Sequence, residues 1–135
     1  MIDKSNFQNN IPKYWDMKKN PISIKEIHKV EGGGMVTLIS VARNQYDMKN
    51  IDSYVEYVKK ISTRFYYGLW NNGDGVEYDV LYTINTDNYD IIQKHLNSHD
   101  EINNMIPQQV AITIYDDMSI KITKNEHLNK LYSKV

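Results

Sequence analysis

The chain of 135 residues contains no cysteine. Disulfides, cysteine metal ligands and a cysteine nucleophile are therefore excluded, and the absence fits a reducing compartment. No apolar run approaches the length of a membrane span, and Met1–Asn6 lack the apolar core of a signal peptide. We therefore expect a soluble, cytoplasmic protein that does not associate with membranes.

The chain also lacks an excess of charge of either sign. Its 16 Lys and Arg residues and 17 Asp and Glu residues give a net charge of −1. Because the basic residues are scattered and balanced, neither nucleic acid nor an anionic membrane is predicted as a partner.

Signatures of the common cofactor and nucleotide sites are missing as well. The sequence has no Gly-x-Ser-x-Gly, dinucleotide or kinase signature, so no cofactor is predicted. Gly32–Gly34 precede a strand and lack a following Gly-Lys-Ser/Thr, which favours a flexible connector over a phosphate-binding loop. Asn72–Gly75 resemble part of a calcium loop, but the ligand spacing and the terminal glutamate do not fit.

The order of the elements that are present is the strongest signal. Alternating, helical and capping patterns predict strand, helix, strand, strand, helix and strand at Val36–Ala42, Ile51–Ile61, Phe65–Trp70, Val76–Ile84, Tyr89–Leu96 and Val110–Tyr115. This order predicts an α+β fold, a ferredoxin-like βαββαβ antiparallel sheet with the helices on one face.

The length indicates one domain, with extensions at both ends. Residues 1–34 are interpreted as an N-terminal arm and glycine-rich connector, and residues 35–135 as the ferredoxin-like domain. Ile22–His28 has both strand-like and helical spacing, and the sequence leaves that choice open. Beyond the unit, we expect an extra strand over Met118–Ile122 and a short helix over Leu128–Tyr132.

Alternation along the hairpin strands assigns each residue to one face of the sheet. The helix side receives Phe65, Tyr67, Leu69, Val80, Tyr82 and Ile84. The opposite side receives Tyr66, Trp70, Asp79, Leu81 and Thr83. This second face is hydrophobic enough to need a cover, so a homodimer or higher oligomer is expected.

The second half of the unit contains a set of four features in a fixed order, namely Tyr78–Asp79, Leu96–His99, Pro107 and Asp116. At these places, stress-responsive proteins of the dimeric α/β-barrel superfamily have a Tyr-Asp strand start, a corner, a proline and a closing Asp, so this half of the unit resembles that superfamily. The corner has Ser-His where that group has His-Pro. Met105–Val110 is also similar to the Ile-Pro-Gly-Val segment in the effector-binding module of leucine-responsive regulators.

Both resemblances imply a homodimer that pairs sheet faces into a barrel and holds small apolar or aromatic compounds. The barrel superfamily includes cofactor-independent oxygenases and cyclases, and Trp70 and Asn72 are the nearest equivalents of their Trp and Asn residues. The regulator module implies a non-catalytic effector-binding role instead. A pure protein-interaction or inhibitor protein is a further alternative, so the sequence leaves open whether the chain is an enzyme.

If a pocket exists, its walls are predicted on the second face. Tyr66, Trp70, Thr83 and Tyr115 are the candidate ligand-binding residues, since aromatic walls and a few polar groups fix a small ligand. Asp79 is the candidate catalytic residue, a carboxylate able to act as a general base when burial raises its pKa. The alternative is that these aromatic side chains only pack two sheets together.

A histidine pair carries the metal hypothesis. His95 and His99 lie four residues apart on one helical face, a spacing that suits two metal ligands. The motif lacks the glutamate of zinc proteases, and nothing in the sequence locates a third ligand. No metal site is therefore predicted.

Overall fold

A computed structural model describes residues 13–45, 51–71, 76–99 and 110–126 of the chain. Within these residues, the fold is mixed α+β, as predicted, with one antiparallel sheet of seven strands and three helices. The strands are β1 (Lys13–Trp15), β2 (Pro21–Ile22), β3 (Val36–Gln45), β4 (Tyr66–Asn71), β5 (Val76–Ile84), β6 (Val110–Ile114) and β7 (Ile120–Lys124). The helices are α1 (Ile24–Val30), α2 (Asp52–Lys59) and α3 (Tyr89–Asn97).

The strand order across the sheet is β2-β1-β4-β5-β3-β6-β7, and neighbouring strands run antiparallel. The six predicted elements occur in the predicted order, and β5 has the predicted bounds. β7 overlaps the extra strand expected over Met118–Ile122 but begins and ends two residues later, at Ile120 and Lys124. The loop Asn72–Gly75 and the terminal helix Leu128–Tyr132 lie outside the described residues.

Helices α2 and α3 cover one face of the sheet. They bury Val55, Val58, Ile92 and Leu96 against a core that includes Phe65, Tyr67, Leu69, Val80 and Tyr82, with Ile84 packed at its margin. The side-chain oxygen of Asn88 caps the start of α3 by accepting the Ile91 N–H at 3.0 Å. The predicted assignment of these strand residues to the helix side is confirmed.

Helix α1 packs on the opposite face. Its Ile27 is fully buried in a second core with Tyr66 and Leu81, which lie on this face as predicted. The expectation that a single copy leaves these residues uncovered is wrong, because the segment before β3 folds back over them. The helices therefore lie on both faces rather than on one.

The segment expected to be an arm contributes to the same packed unit. β1 pairs with β4, so that Trp15 enters the core under α2 and α3 while Tyr14 enters the core under α1. Ile22 belongs to β2 and Ile27 to α1, so the two spacings that the sequence left open belong to successive elements. Ser23 separates these elements as the helix N-cap.

Local hydrogen bonds define both ends of α1. At the start, the Ser23 hydroxyl accepts the Glu26 N–H and the Glu26 carboxylate accepts the Ser23 N–H, both at 3.1 Å. At the end, Gly33 and Gly32 donate backbone N–H groups to the carbonyls of His28 and Lys29, at 2.9 and 3.1 Å. This is a Schellman motif, and Gly32 takes the left-handed position with φ of +97°. The glycine segment thus ends a helix.

Candidate functional site

Asp79, the candidate catalytic residue, is buried within the single chain. Only 1% of it is exposed, and the Ser40 hydroxyl lies 2.8 and 3.0 Å from its two carboxylate oxygens. The Val80 N–H donates to the same carboxylate at 2.8 Å. Asp79 lines none of the cavities described below. The carboxylate therefore takes part in internal hydrogen bonding at the place where a substrate was expected.

Tyr66 shares this face but its hydroxyl points to α1. It donates to a carboxylate oxygen of Glu31 at 2.7 Å, and the other oxygen of Glu31 accepts from the Arg64 guanidinium at 2.9 Å. Burial, and after it the Glu31 carboxylate, raises the pKa of Tyr66. The tyrosine and arginine are thus fixed by one carboxylate at the end of α1.

The other predicted ligand residues do not join this group. Tyr115 follows β6 and lies near Ile84 at the end of β5. Asp79 lies five residues before Ile84 in the same strand. The Tyr115 hydroxyl donates to Asp87 at 3.1 Å, and desolvation together with this bond raises its pKa. Thr83 is half-buried between these positions. The side chain of Trp70 lies outside the described part of the structure, although its backbone pairs with Glu77.

A cavity of about 310 Å³ lies between the β1–β2 turn, the end of α1 and the start of β4. Its apolar wall is formed by Met17, Ile22, Val30 and Phe65, and its charged groups are Asp16, Lys18 and Arg64. Tyr66 is the one predicted ligand residue that lines it. The cavity combines a mostly apolar wall with a few polar groups, as small-molecule sites do.

Two of the three charged side chains around this cavity, those of Arg64 and Asp16, are hydrogen-bonded within the chain. Arg64 contacts Glu31 and the Val30 carbonyl oxygen, the latter at 3.4 Å. Asp16 accepts the backbone N–H groups of Lys18 and Asn20, both at 2.9 Å, and so closes the turn. Glu31 does not line the cavity, so the lining side chains present two cations and one carboxylate.

A second polar group joins the two helices to the sheet on the other face. The Tyr57 hydroxyl lies 2.7 Å from Nδ1 of His99, and Nε2 of the same imidazole lies 2.7 Å from the Tyr82 hydroxyl. That hydroxyl in turn lies 2.8 Å from Nδ1 of His95. Tyr57, His99, Tyr82 and His95 thus form one continuous hydrogen-bonded chain, called the Tyr–His chain below.

Burial sets the protonation of the Tyr–His chain. It raises the pKa of Tyr82, with a smaller contribution from Tyr57, and it also raises the pKa of Tyr57. It lowers the pKa of His95, with the Lys94 ammonium acting in the same direction. Near neutral pH, both hydroxyls are therefore protonated and His95 is neutral.

The histidine spacing had been considered as a metal signal, and the structure gives it a different role. The two imidazoles converge on the Tyr82 hydroxyl rather than on a vacant position. Among the described residues, no group of three or more potential ligands is placed to hold a metal ion. Sequence reasoning missed the role of Tyr82, although its assignment to the helix side places it opposite the inner face of α3.

Two further findings concern the described helices and the comparison of the sequence with known proteins. Within the described residues, every helix is too short or too polar to cross a membrane. In comparisons with protein-family models, curated proteins and solved structures, nothing matches this chain. Function is therefore inferred from the chain's own residues.

Proposed function

We propose that this chain is a small-molecule-binding protein built on a ferredoxin-like unit. Its ligand is a small apolar compound with one anionic group, held in the cavity beside Arg64. The observation on which the proposal rests is the position of Arg64, which the largely buried Glu31 carboxylate holds at the edge of an otherwise largely apolar cavity.

The strand order supports the ferredoxin-like part of the proposal. Strands β4, β5, β3 and β6 are consecutive neighbours, with α2 between β3 and β4 in the chain and α3 between β5 and β6. Both helices pack on the same face, as the βαββαβ order requires. β1, β2, α1 and β7 are additions to this unit, and the β1–β2 turn, β2 and α1 contribute lining residues to the cavity.

The chemistry of the lining supports the ligand class. Lys18 and Arg64 place two cations at the cavity, and a guanidinium is suited to bind a carboxylate through paired N–H groups. Met17 and Val30, both more than a third exposed, offer apolar surface for the ligand body. A volume of about 310 Å³ limits that body to a small molecule.

Catalysis by Asp79 is not part of this proposal. The carboxylate is hydrogen-bonded to Ser40 and buried under the chain's own structure. A general base needs hydrogen-bond reach to the proton that it removes. Asp79 does not line the cavity beside Arg64, so a ligand in that cavity is not within its hydrogen-bond reach.

The homodimer stays a prediction. A face-to-face barrel uses the sheet face on which α1 already lies over Tyr66 and Leu81. On the same face, Ile120 and Ile122 of β7 are 48% and 61% exposed. A second copy would therefore have apolar contact surface at β7 without displacing α1.

Calorimetric titration with naphthoate and its uncharged analogue naphthamide tests the proposed ligand class. We compare Val30→Glu with Val30→Gln, which have nearly the same shape and leave the Arg64–Glu31 pair in place. An added carboxylate near the bound anion should weaken naphthoate binding roughly fivefold relative to Val30→Gln. Naphthamide should bind both variants equally, and Lys59→Gln on distant α2 should leave naphthoate binding unchanged.

Two results would contradict the proposal. Failure of naphthoate to bind the wild-type chain would remove the ligand class. Equal binding of naphthoate by both Val30 variants would show that the ligand does not occupy this cavity. The pair of variants is suited to the test because Val30 is 51% exposed, so neither substitution disturbs the core.

A further inference from the structure

We propose that His95 is a general base in a surface hollow on α3, and that Tyr82 and His99 relay the proton it takes to Tyr57. The hollow is lined by Ile91, Lys94, His95 and Ser98 and has a volume of about 370 Å³. It is separate from the cavity beside Arg64, so this inference does not depend on the proposed function.

The Tyr–His chain has the form of a relay. Its three hydrogen bonds measure 2.7, 2.7 and 2.8 Å, so each donor is in direct contact with the next acceptor. The central groups, Tyr82 and His99, are 4% and 3% exposed, whereas Tyr57 and His95 at the ends are half-buried. The relay therefore runs between two ends that are accessible to solvent, and its two central groups are buried from solvent.

The relay moves one proton in total from the substrate at His95 to water at Tyr57. Before reaction, Nδ1–H of His95 donates to Tyr82, the Tyr82 hydroxyl donates to Nε2 of His99, and Nδ1–H of His99 donates to Tyr57. Nε2 of His95 then takes a proton from the substrate, and each group passes its own proton one bond along. Tyr57 releases its hydroxyl proton to water, and each group in the relay is again neutral.

Both arrangements keep the hydrogen bonds intact, because a tyrosine hydroxyl and an imidazole can each donate and accept. After the transfer, the bonds have reversed direction: Tyr57 donates to His99, His99 to Tyr82, and Tyr82 to His95. The first arrangement returns when Tyr57 takes a proton from water, each group passes a proton one bond back, and Nε2 of His95 releases its proton to water. No oxidant, metal or cofactor is needed for this step.

The lining of the hollow indicates the class of substrate. Ile91 is 46% exposed and offers an apolar contact, while the Lys94 ammonium can stabilise an anion that forms beside His95. Ser98 donates its hydroxyl proton to the His95 carbonyl oxygen at 2.6 Å, so toward a ligand it acts as an acceptor. The hollow therefore suits an apolar compound with a weakly acidic C–H or O–H group whose conjugate anion carries its charge on oxygen.

Nitrobenzisoxazole is a probe with this chemistry. Nε2 of His95 takes the ring C–H proton, the ring N–O bond breaks, and a nitrile forms as the phenolate leaves beside Lys94. We expect the wild-type chain to open the ring about a hundredfold faster than free imidazole at the same concentration and pH. His95→Gln should abolish this acceleration, since the amide is not a base.

The relay is tested by removing its hydroxyl groups. Tyr82→Phe and Tyr57→Phe should each lower kcat about tenfold without changing KM, because they interrupt proton transfer and leave the hollow in place. Tyr89→Phe, at the exposed start of α3, should keep the wild-type rate and serves as the control. Because Tyr57 is half-buried, its variant remains informative even if Tyr82→Phe does not fold.

Each remaining outcome contradicts part of the proposal. Ring opening no faster than with free imidazole, or acceleration that survives in His95→Gln, would contradict the role of His95 as the general base. Wild-type kcat in both phenylalanine variants would overturn the relay. Loss of rate in Tyr82→Phe alone would also overturn it, because Tyr82 would then only orient His95 and the proton would not leave through Tyr57.

Discussion

The Ser40 hydroxyl lies 2.8 Å from one carboxylate oxygen of Asp79, on a sheet face that the chain covers with its own helix. This bond indicates a structural role for the carboxylate, while the catalytic role of Asp79 stays a prediction. Ser40→Ala should therefore lower the free energy of unfolding by about 1–3 kcal/mol, because a buried carboxylate loses a donor. Urea denaturation measures the change.

Ser53→Ala, at an exposed position of α2, is the matched control and should be close to neutral. If Asp79 is held by this bond, the cost of Asp79→Asn should be smaller in the Ser40→Ala background than in the wild-type chain. A Ser40→Ala variant as stable as the Ser53→Ala control would contradict the structural role.

The cover over the second face rests on Ile27, which is fully buried under α1. Ile27→Ala should lower the free energy of unfolding by about 2–5 kcal/mol, the usual cost of a cavity in a packed core. Val30→Ala, on the exposed side of the same helix, should have little effect. Comparable stability of the two variants, measured by thermal denaturation, would mean that α1 does not pack on the sheet.

Gly32 provides a test of the turn that ends α1. Its φ of +97° is unfavourable for residues with a Cβ atom, and no atom lies near the place where that Cβ would stand. Gly32→Ala should therefore cost about 1–2 kcal/mol through backbone conformation alone. Gly32→Asn should cost less, and equal losses in the two variants by urea denaturation would argue against the left-handed conformation.

His95 makes the stability of the chain depend on pH in a defined direction. Burial, and after it the Lys94 ammonium, lowers the pKa of His95 in the folded chain. As the pH falls past the unfolded pKa of about 6.5, the unfolded chain gains a proton here before the folded chain does. As the pH falls, the free energy of unfolding should therefore decrease progressively until the pH lies below the pKa of His95 in the folded chain.

His95→Gln removes this dependence and provides the reference. The free energy of unfolding of the wild-type chain, minus that of His95→Gln, should decrease between about pH 8 and about pH 5. Urea denaturation at several pH values gives both quantities. A difference that stays constant or increases on acidification would show that the folded chain does not lower the pKa of His95.

The sheet could be predicted because its strands alternate with the two-residue period of a strand. Tyr67, Val80 and Tyr82 reach the core under α2 and α3, and Tyr66 and Leu81 reach the other core, as predicted. α1 was harder to predict because Ile22 and Ile24 alternate as in a strand, while Ile24 and Ile27 could share a helical face. Its capping box at Ser23 and Glu26 was the available signal, since it marks where the strand stops and the helix begins.

The candidate sites could be predicted only in part, because they depend on contacts between distant segments. Nothing local indicates that Glu31 binds both Tyr66 and Arg64, since these contacts span more than thirty residues. The spacing of His95 and His99 gave a correct signal of a shared face, but the sequence did not show that Tyr82 lies between them. Tertiary packing thus places the two histidines in a hydrogen-bonded chain with Tyr82, which their spacing alone does not indicate.

The most direct test of the proposed function is a crystal structure of the chain with naphthoate bound. We expect the carboxylate to contact the Arg64 guanidinium, with the ring system against Val30 and Phe65 in the cavity between α1 and β4. Naphthoate bound elsewhere, with this cavity unoccupied by the ligand, would contradict the proposed function.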